Sequence, residues 1–267
     1  ENAFAIIYLL FDGNFPGYRK CNTEYHNLSH TMDAFLATAR LMDGFASIKY
    51  SFDVRLTVNL LLASLLHDTG YIQEEWDTEG TGAKYTRNHV ERSNSFVIKN
   101  AVNFHLTNSD VSQINSFILC TGLKADSMDN LSGDDAMAGA ILGTADLLGQ
   151  MSDRAYLEKL LFLYYEFKEA GIDGFNTTFD IIKNTLAFYE LTMERFDKQL
   201  LGVYNYALYH FKRRHNIEEN LYLVAIDNQI NYLKQIIADE SVNFRNKLKR
   251  LDIEKIELDY TISKQYI

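Results

Sequence analysis

Apolar residues recur along the chain at intervals of three and four, which is the spacing of an amphipathic α-helix. A single proline, Pro16, in 267 residues removes the commonest interruption of such helices. Stretches rich in glycine and polar residues separate the periodic segments. The pattern therefore predicts an all-α fold, with helices over 28–45, 52–68, 86–102, 109–119, 134–151, 153–170, 177–213 with a break, and 217–248.

The last predicted helix carries a narrow apolar seam. Ile226, Ile230, Leu233 and Ile237 follow one another at steps of four, three and four. A seam of this width packs either against the core of the same chain or against a second copy of it. The spacing thus allows a homodimer without requiring one.

Composition and charge exclude several classes of function. The formal net charge is −10 and the Lys and Arg residues are dispersed, so a surface for long nucleic acid is not expected. The longest apolar runs, 3–11 and 60–66, are shorter than the roughly 20 residues that cross a bilayer, so no membrane association is expected. Cys21 and Cys120 match neither a disulfide framework nor a thiolate metal site. A cytoplasmic protein without a secretory leader is predicted.

The segment 58–70 is apolar on nearly every face and ends in His67 and Asp68. An aspartate at a helix C-terminus meets the negative end of the helix dipole, and burial adds a desolvation cost. A bound cation would remove both penalties. The alternative is that Asp68 pairs with a lysine or arginine while His67 donates to a carbonyl group.

Two further positions have ligand character. His26 and His30 are four apart and share one helix face if the helix covers both, although such pairs also occur on solvated faces. Asp146 is surrounded by apolar and small residues in the predicted helix 134–151. Buried carboxylates are rarely left unpaired, so Asp146 either binds a cation or pairs with an arginine or a helix terminus.

Together these residues resemble a known family. The ordered ligands of HD-superfamily phosphohydrolases are similar to His30, His67, Asp68 and Asp146. The string Tyr-His-Asn-x-x-His at 25–30 resembles the opening motif of class I cyclic nucleotide phosphodiesterases, and 164–173 is similar to a glutamate-phenylalanine and glycine-aspartate stretch in those enzymes. The resemblance spans about 20–190.

The resemblance implies an HD-domain helical bundle over 1–195, followed by a C-terminal helical extension over 196–267. It implies one divalent ion on the four ligands (Mn, Fe, Co, Ni, Zn or Mg), with Asp146 or Asp68 orienting the attacking water and His26 acting as general acid. The mixed nitrogen and oxygen set suits the transition metals better than Mg. The implied reaction is hydrolysis of a small, nucleotide-like phosphate ester. The implied second-metal or phosphate contacts are His89, Glu91 and Arg87, with Lys84 and Arg92 as further phosphate candidates.

The resemblance has limits. Where the phosphodiesterases carry a purine-binding glutamine, this chain reads Asn-Thr-Thr at 176–178, and the adjacent histidines of cyclic dinucleotide hydrolases are replaced by Cys-Thr-Gly-Leu at 120–123. Two other functions stay open: a metal-dependent oxygenase of the same superfamily, in which His89 would have to serve as a ligand, and a non-catalytic sensory or dimerising domain. Loops 78–88 and 120–133 are expected to border the pocket. Surface positions are expected for His105, His210 and His215.

Overall fold

The structure is a computed structural model that describes residues 2–122, 128–239, 243–255 and 257–258. These residues form helices and no strand, apart from an isolated antiparallel β-bridge between Tyr18 and Glu74. The all-α prediction is confirmed. The α-helices are α1 (Asn2–Asp12), α2 (Leu28–Ile48), α3 (Val54–Leu66), α4 (His89–Asn100), α5 (Asn108–Leu119), α6 (Gly133–Ser152), α7 (Tyr156–Glu169), α8 (Thr178–Lys198), α9 (Tyr206–His215) and α10 (Leu221–Ala238).

Several helix boundaries differ from the predicted ones for local reasons. The predicted helix 177–213 divides into α8 and α9, because Leu201 and Gly202 adopt left-handed backbone conformations, with φ of 56° and 64°. Helix α10 begins after Asn220, whose side chain accepts hydrogen bonds from two backbone N–H groups. It ends at Ala238, and 240–242 of the predicted helix 217–248 lie outside the described residues. Helix α1 was not predicted as a helix.

Helices α2 and α6 form the centre of the bundle. A Cβ atom added to Gly149 of α6 would lie 3.0 Å from the backbone nitrogen of Ala34 in α2, so the glycine allows the two backbones to meet. Gly44 plays the same part on the other side of α2, where an added Cβ would overlap the carbonyl group of Tyr206 at the start of α9. This central pairing brings residues from distant parts of the sequence together.

The C-terminal helices share the core of the rest of the molecule. Ile226, Ile230 and Leu233 of the apolar seam are buried in the same hydrophobic cluster as residues of α1, α2 and α6, and Ile237 packs at its edge. The predicted regions 1–195 and 196–267 therefore meet in one continuous core over their described residues. None of the helices in the described ranges combines the length and apolar character needed to cross a bilayer.

Candidate metal centre

His30 reaches the centre from the first turn of α2. Asn27 is the N-cap of this helix, and its side chain accepts a hydrogen bond from the backbone N–H of His30 over 3.2 Å. His26 therefore precedes the helix, so the condition under which the two histidines would share one helix face is not met. The two rings nevertheless lie 5.9 Å apart, at 86° to each other.

His67 and Asp68 follow the end of α3. The helix ends at Leu66, and Asp68 leads into a 3-10 turn over Thr69–Tyr71, so the predicted helix 52–68 extends two residues too far at this end. Nδ1 of His67 lies 2.8 Å from the carbonyl oxygen of Ser64. Because a carbonyl oxygen only accepts hydrogen bonds, Nδ1 carries the proton, and Nε2 is the nitrogen that faces the centre.

The start of α4 holds this turn in place. The hydroxyl of Ser93 donates to the carbonyl oxygen of His67 over 2.5 Å and accepts from the backbone N–H of Gly70 over 2.9 Å. A Cβ atom on Gly70 would lie 1.9 Å from the carbonyl oxygen of His89, so only glycine permits this approach. The guanidinium of Arg92 also donates to the carbonyl oxygens of Gly70 and Ile72.

Four ligand-type atoms converge at the centre of the bundle. Nε2 of His30 lies 3.2 Å from Oδ2 of Asp68 and 3.0 Å from Oδ1 of Asp146 in α6. Nε2 of His67 lies 3.4 Å from the same Asp68 oxygen and 3.5 Å from the same Asp146 oxygen. The two histidine nitrogens are 3.4 Å apart. His30, His67 and Asp146 bring ligand atoms within 4.8 Å of one another, and Asp68 contacts both imidazoles from a position further from Asp146. We refer to the four residues as the four-residue cluster.

The atoms of the four-residue cluster are short of partners. Oδ2 of Asp68 and Oδ1 of Asp146 are buried, and apart from the imidazole nitrogens 3.0–3.5 Å away, which are not well oriented for hydrogen bonds, they have no donor among the described residues. Nδ1 of His30 is also unpaired within the described chain. Buried polar atoms of this kind are costly. A cation among the four residues would satisfy both oxygens, and imidazole with carboxylate suits Mn, Fe, Co, Ni or Zn. The donor set therefore fits a divalent metal ion.

The charge balance of the cluster agrees with this fit. Burial by itself lowers the pKa of His30, but the contacts with Asp146 and Asp68 outweigh burial and raise the pKa to about 10. Burial alone would raise the pKa of Asp146, whereas His30 and His67 hold that pKa below its ordinary value. Two carboxylates thus attract protons onto the imidazoles. A metal ion would compete with those protons and bind more tightly as the pH rises.

His89 lies on the other side of Asp68. Its Nε2 is 3.9 Å from Oδ1 of Asp68, and its Nδ1 is 2.8 Å from the carbonyl oxygen of Thr86, which makes Nδ1 the protonated nitrogen. Burial lowers the pKa of His89 and favours the neutral ring. The half-buried His89 is therefore available as a ligand, while the predicted contact Glu91 lies exposed on the cavity wall.

His26 is held at the mouth of the centre by two residues that the sequence did not assign to the site. Its Nδ1 is 2.6 Å from Oε2 of Glu166 in α7, whose Oε1 accepts the backbone N–H of Tyr25 over 2.8 Å. The ring of His26 stacks on Tyr71 with centroids 4.2 Å apart, and Tyr71 stacks in turn on His89 at 4.6 Å. Glu166 lies in the stretch 164–173 that resembles the phosphodiesterases, but Tyr71 had no signal in the sequence.

One family model matches this chain, and its match covers residues 74–227, more than half of the sequence. The chain belongs to the Npun_R2479-like family. No curated protein and no solved structure is similar enough to the chain to count as a match. The Npun_R2479-like match includes His89, Asp146 and Glu166, whereas His30 and the His67-Asp68 turn precede it. The family description names no activity, so the function has to be argued from the site.

A cavity of about 750 Å³ opens from the four-residue cluster, and its lining comes both from the Npun_R2479-like region and from residues before it. His26, Tyr71 and His89 line it near the cluster. The loops that were expected to border the pocket contribute through Thr86, Arg87, Thr121, Gly122 and Asn130, while 123–127 lie outside the described residues.

The three predicted phosphate-binding cations are engaged elsewhere. Arg87 donates to the carbonyl oxygens of Ala170 and Gly171, over 3.3 Å and 2.6 Å. Lys84 pairs with Asp77, and the guanidinium of Arg92 holds the turn after His67. Arg87 reaches the cavity wall, but its bonds tie α4 to the loop after α7.

The remaining histidines lie away from the centre. His105 and His215 are exposed as predicted. His210 departs from that prediction, since it is half-buried between α9 and α2 and its Nδ1 lies 2.8 Å from Oδ2 of Asp43. An ion pair explains this histidine.

Proposed function

We propose that this chain is a metal-dependent phosphohydrolase of the HD kind, which hydrolyses a phosphate ester at the four-residue cluster. The observation that carries the proposal is the convergence of Nε2 of His30 and Nε2 of His67 on two buried carboxylate oxygens that lack hydrogen-bond donors among the described residues. The order and spacing of the ligands in the sequence, which resemble those of the HD superfamily, support the same function.

The chain's own residues suit the two tasks of ester hydrolysis. A divalent ion in the cluster would polarise a phosphoryl oxygen and make a bound water a better nucleophile at neutral pH. The outer oxygens of Asp68 and Asp146 would orient that water, as each aspartate has a second oxygen besides the one that faces the histidines. The cavity beside the cluster provides room for the ester.

His26 would supply the proton for the leaving oxygen. Glu166 accepts a hydrogen bond from Nδ1 of His26 and fixes the direction of the ring, while stacking on Tyr71 fixes the ring plane. The acidic proton would then lie on Nε2, which is 3.4 Å from the hydroxyl of Tyr71 and on the cavity wall. A positioned acid of this kind contributes about 100- to 10,000-fold in rate.

The first experiment combines elemental analysis with hydrolysis of phosphomonoesters and phosphodiesters. The purified protein is expected to contain near-stoichiometric transition metal, and His67→Gln is expected to lose both metal and hydrolysis. His105→Gln is the matched control, because this exposed histidine lies outside the site. Metal content that stays unchanged in His67→Gln would overturn the proposal, as would a metal-loaded protein that hydrolyses no ester.

The role of His26 has its own test. His26→Gln is expected to retain metal and to lose about 100- to 10,000-fold in rate on alkyl esters, whose leaving alkoxides need a proton. The loss should be much smaller on p-nitrophenyl esters, whose leaving group is a weak base. An equal loss on both ester types would show that His26 is not the general acid.

A di-iron oxygenase of the same superfamily is the second candidate, because His89 lies beside the second oxygen of Asp68 and would allow that aspartate to bridge two ions. Two irons per chain and consumption of dioxygen with an added organic substrate would favour it. A protein that binds metal without either reaction would instead favour the non-catalytic sensory or dimerising domain.

A further inference from the structure

The far wall of the cavity differs sharply from the end that holds the four-residue cluster. Helix α7, the loop 170–177 and helix α8 form this wall. Most of its side chains are apolar, and these include Leu160, Leu163, Phe167, Ile172, Phe175 and Phe188. We call these six residues the apolar wall.

Most of the apolar wall remains in contact with open space. Leu163, Phe167, Phe175 and Phe188 are only half-buried, although they pack against the core on their other side. The rings of Phe167 and Phe175 lie 5.5 Å apart and support each other. Apolar surface that faces a concave site, rather than the outside of the molecule, favours a ligand with an apolar group.

The cavity offers little positive charge. Among its described lining residues Arg87 is the only Lys or Arg, and its guanidinium donates to two backbone carbonyl oxygens. A chain of phosphates would bring several negative charges that this wall cannot neutralise. A metal ion in the cluster would serve one phosphate group, so the cavity suits a ligand with a single phosphate.

Two of the polar side chains near the apolar wall are also engaged, and a third, Asn184 of α8, is exposed on the cavity lining. Oε1 of Gln150 accepts from the hydroxyl of Tyr25 over 2.6 Å, and the hydroxyl of Thr185 donates to the carbonyl oxygen of Ile181 over 2.8 Å. A nucleobase presents several donors and acceptors that are costly to bury without partners, and beside the apolar wall Asn184 is one amide that could meet them. The wall therefore offers a nucleobase few polar partners and an apolar group a large contact surface.

We propose that the substrate is a phosphate ester of a bulky apolar alcohol, with its phosphate at the four-residue cluster and its organic group against the apolar wall. This inference rests on the proposed hydrolysis and replaces the nucleotide-like substrate expected from the sequence with an apolar one. A volume of about 750 Å³ is in the usual range for pockets that enclose a medium-sized organic ligand.

A series of alkyl esters tests the proposal. Methyl, hexyl and dodecyl phosphates are compared below their micelle concentrations, either as monoesters or as methyl diesters according to the class that the protein hydrolyses. We expect kcat/KM to rise about fourfold for each methylene that enters the cavity, which corresponds to about 0.8 kcal/mol per CH₂. Adenosine monophosphate, or its methyl diester, should be a poorer substrate than the dodecyl ester. A flat series, or a preference for the nucleotide, would overturn the substrate class.

Two matched variants locate the effect. Leu163→Asn replaces an apolar-wall side chain with a polar one of similar size, and it should reduce the dependence on chain length. Leu191→Asn makes the same change on α8 at a position that is 65% exposed, and it should behave as the unchanged protein does. If Leu163→Asn loses its metal and fails to fold, Phe188→Gln on the opposite side of the wall takes its place. Equal chain-length dependence in all variants would contradict the assignment.

Binding of alkylphosphonates separates this inference from the proposed hydrolysis, because their carbon–phosphorus bond is not an ester. Titration calorimetry on the metal-loaded protein should show affinity that rises with chain length and a more negative heat-capacity change. Such a rise without hydrolysis of any ester would support the apolar site and overturn the phosphohydrolase. Hydrolysis of an ester without such a rise in affinity would support the phosphohydrolase and overturn the apolar substrate site.

Discussion

Two buried carboxylate clusters of this protein have opposite hydrogen-bonding states. Asp110 lies in the first turn of α5, and Asp146 lies in the middle of α6. Both side chains are at least four-fifths buried. The first has donors for both of its oxygens, and the second has a buried oxygen that accepts no hydrogen bond from the described chain.

Asp110 shows how this fold stabilises a structural carboxylate. Its Oδ1 accepts from Nε of Arg55 over 2.5 Å and from Nδ2 of Asn59 over 2.9 Å. Its Oδ2 accepts the backbone N–H of Thr107 over 2.8 Å, which completes a capping box at the start of α5. The chain can therefore supply arginine, amide and backbone donors to a buried aspartate.

The four-residue cluster receives no such support. Asp146 and Asp68 each contact the imidazole nitrogens of His30 and His67, and the nearby buried Arg195 donates instead to the carbonyl oxygens of Cys120 and Gly122. The comparison teaches that the missing donors are a local property of the centre. A metal ion would give the buried carboxylate oxygen of Asp146 a partner, as the donors around Asp110 do for its oxygens.

The largest expected effect is stabilisation by metal. At a free Mn²⁺ concentration a thousandfold above its Kd, the free energy of unfolding should increase by about 4 kcal/mol. Asp110→Asn should keep this increase, and Asp146→Asn should lose it. Thermal unfolding of the three proteins with and without Mn²⁺ measures the effect. An equal increase in Asp146→Asn would remove the distinction between the two clusters.

A smaller effect is expected for Asp110 itself. Asp110→Asn removes charge-assisted hydrogen bonds and should lower the free energy of unfolding by about 2 kcal/mol at neutral pH, a modest value because Arg55 is half-exposed and solvent screens its charge. Denaturant unfolding measures this loss. A loss below about 0.5 kcal/mol would contradict the role of Asp110 as a structural carboxylate.

The same variant should change the response to acid. Hydrogen bonding to Arg55 holds the pKa of Asp110 well below its ordinary value. A carboxylate with a lowered folded-state pKa stabilises the protein above its unfolded pKa of about 4, and this contribution is lost as the pH falls below that value. Asp110→Asn should therefore reduce the decline in stability below about pH 4. If Asp110→Asn shows the same decline in stability below about pH 4 as the unchanged protein, the pair of Asp110 with Arg55 does not contribute to stability.

The smallest effect concerns the support of the centre. Ser93→Ala would leave the carbonyl oxygen of His67 and the N–H of Gly70 without their shared partner, at a cost of about 1–2 kcal/mol. Ser95→Ala is the matched control two residues along α4, where the serine is exposed, and its effect should stay within about 0.5 kcal/mol. The Mn²⁺ affinity of Ser93→Ala should also fall. Equal free energies of unfolding and equal Mn²⁺ affinities in Ser93→Ala and Ser95→Ala would show that the hydrogen bonds of Ser93 do not support the metal centre.

Some properties of this protein were determined by the sequence alone. The three- and four-residue period placed α2, α3, α5 and α6 within a few residues, because amphipathic periodicity is a local property of the chain. The burial of Asp146 and the position of Asp68 at the end of an apolar helix could be predicted for the same reason. The convergence of the four ligand types was an inference from resemblance.

Other properties were decided only by the tertiary structure. Glu166 supports His26 across 140 positions of the chain, and Tyr71 stacks between two histidines that precede and follow it. The engagement of Arg87 and the apolar wall likewise depend on how α4, α7 and α8 pack. Long-range contacts of this kind leave no period in the sequence, since they depend on which helix faces meet. The local pattern therefore predicted the helices and the ligand types, and packing determined the partners of those ligands and the shape of the cavity beside them.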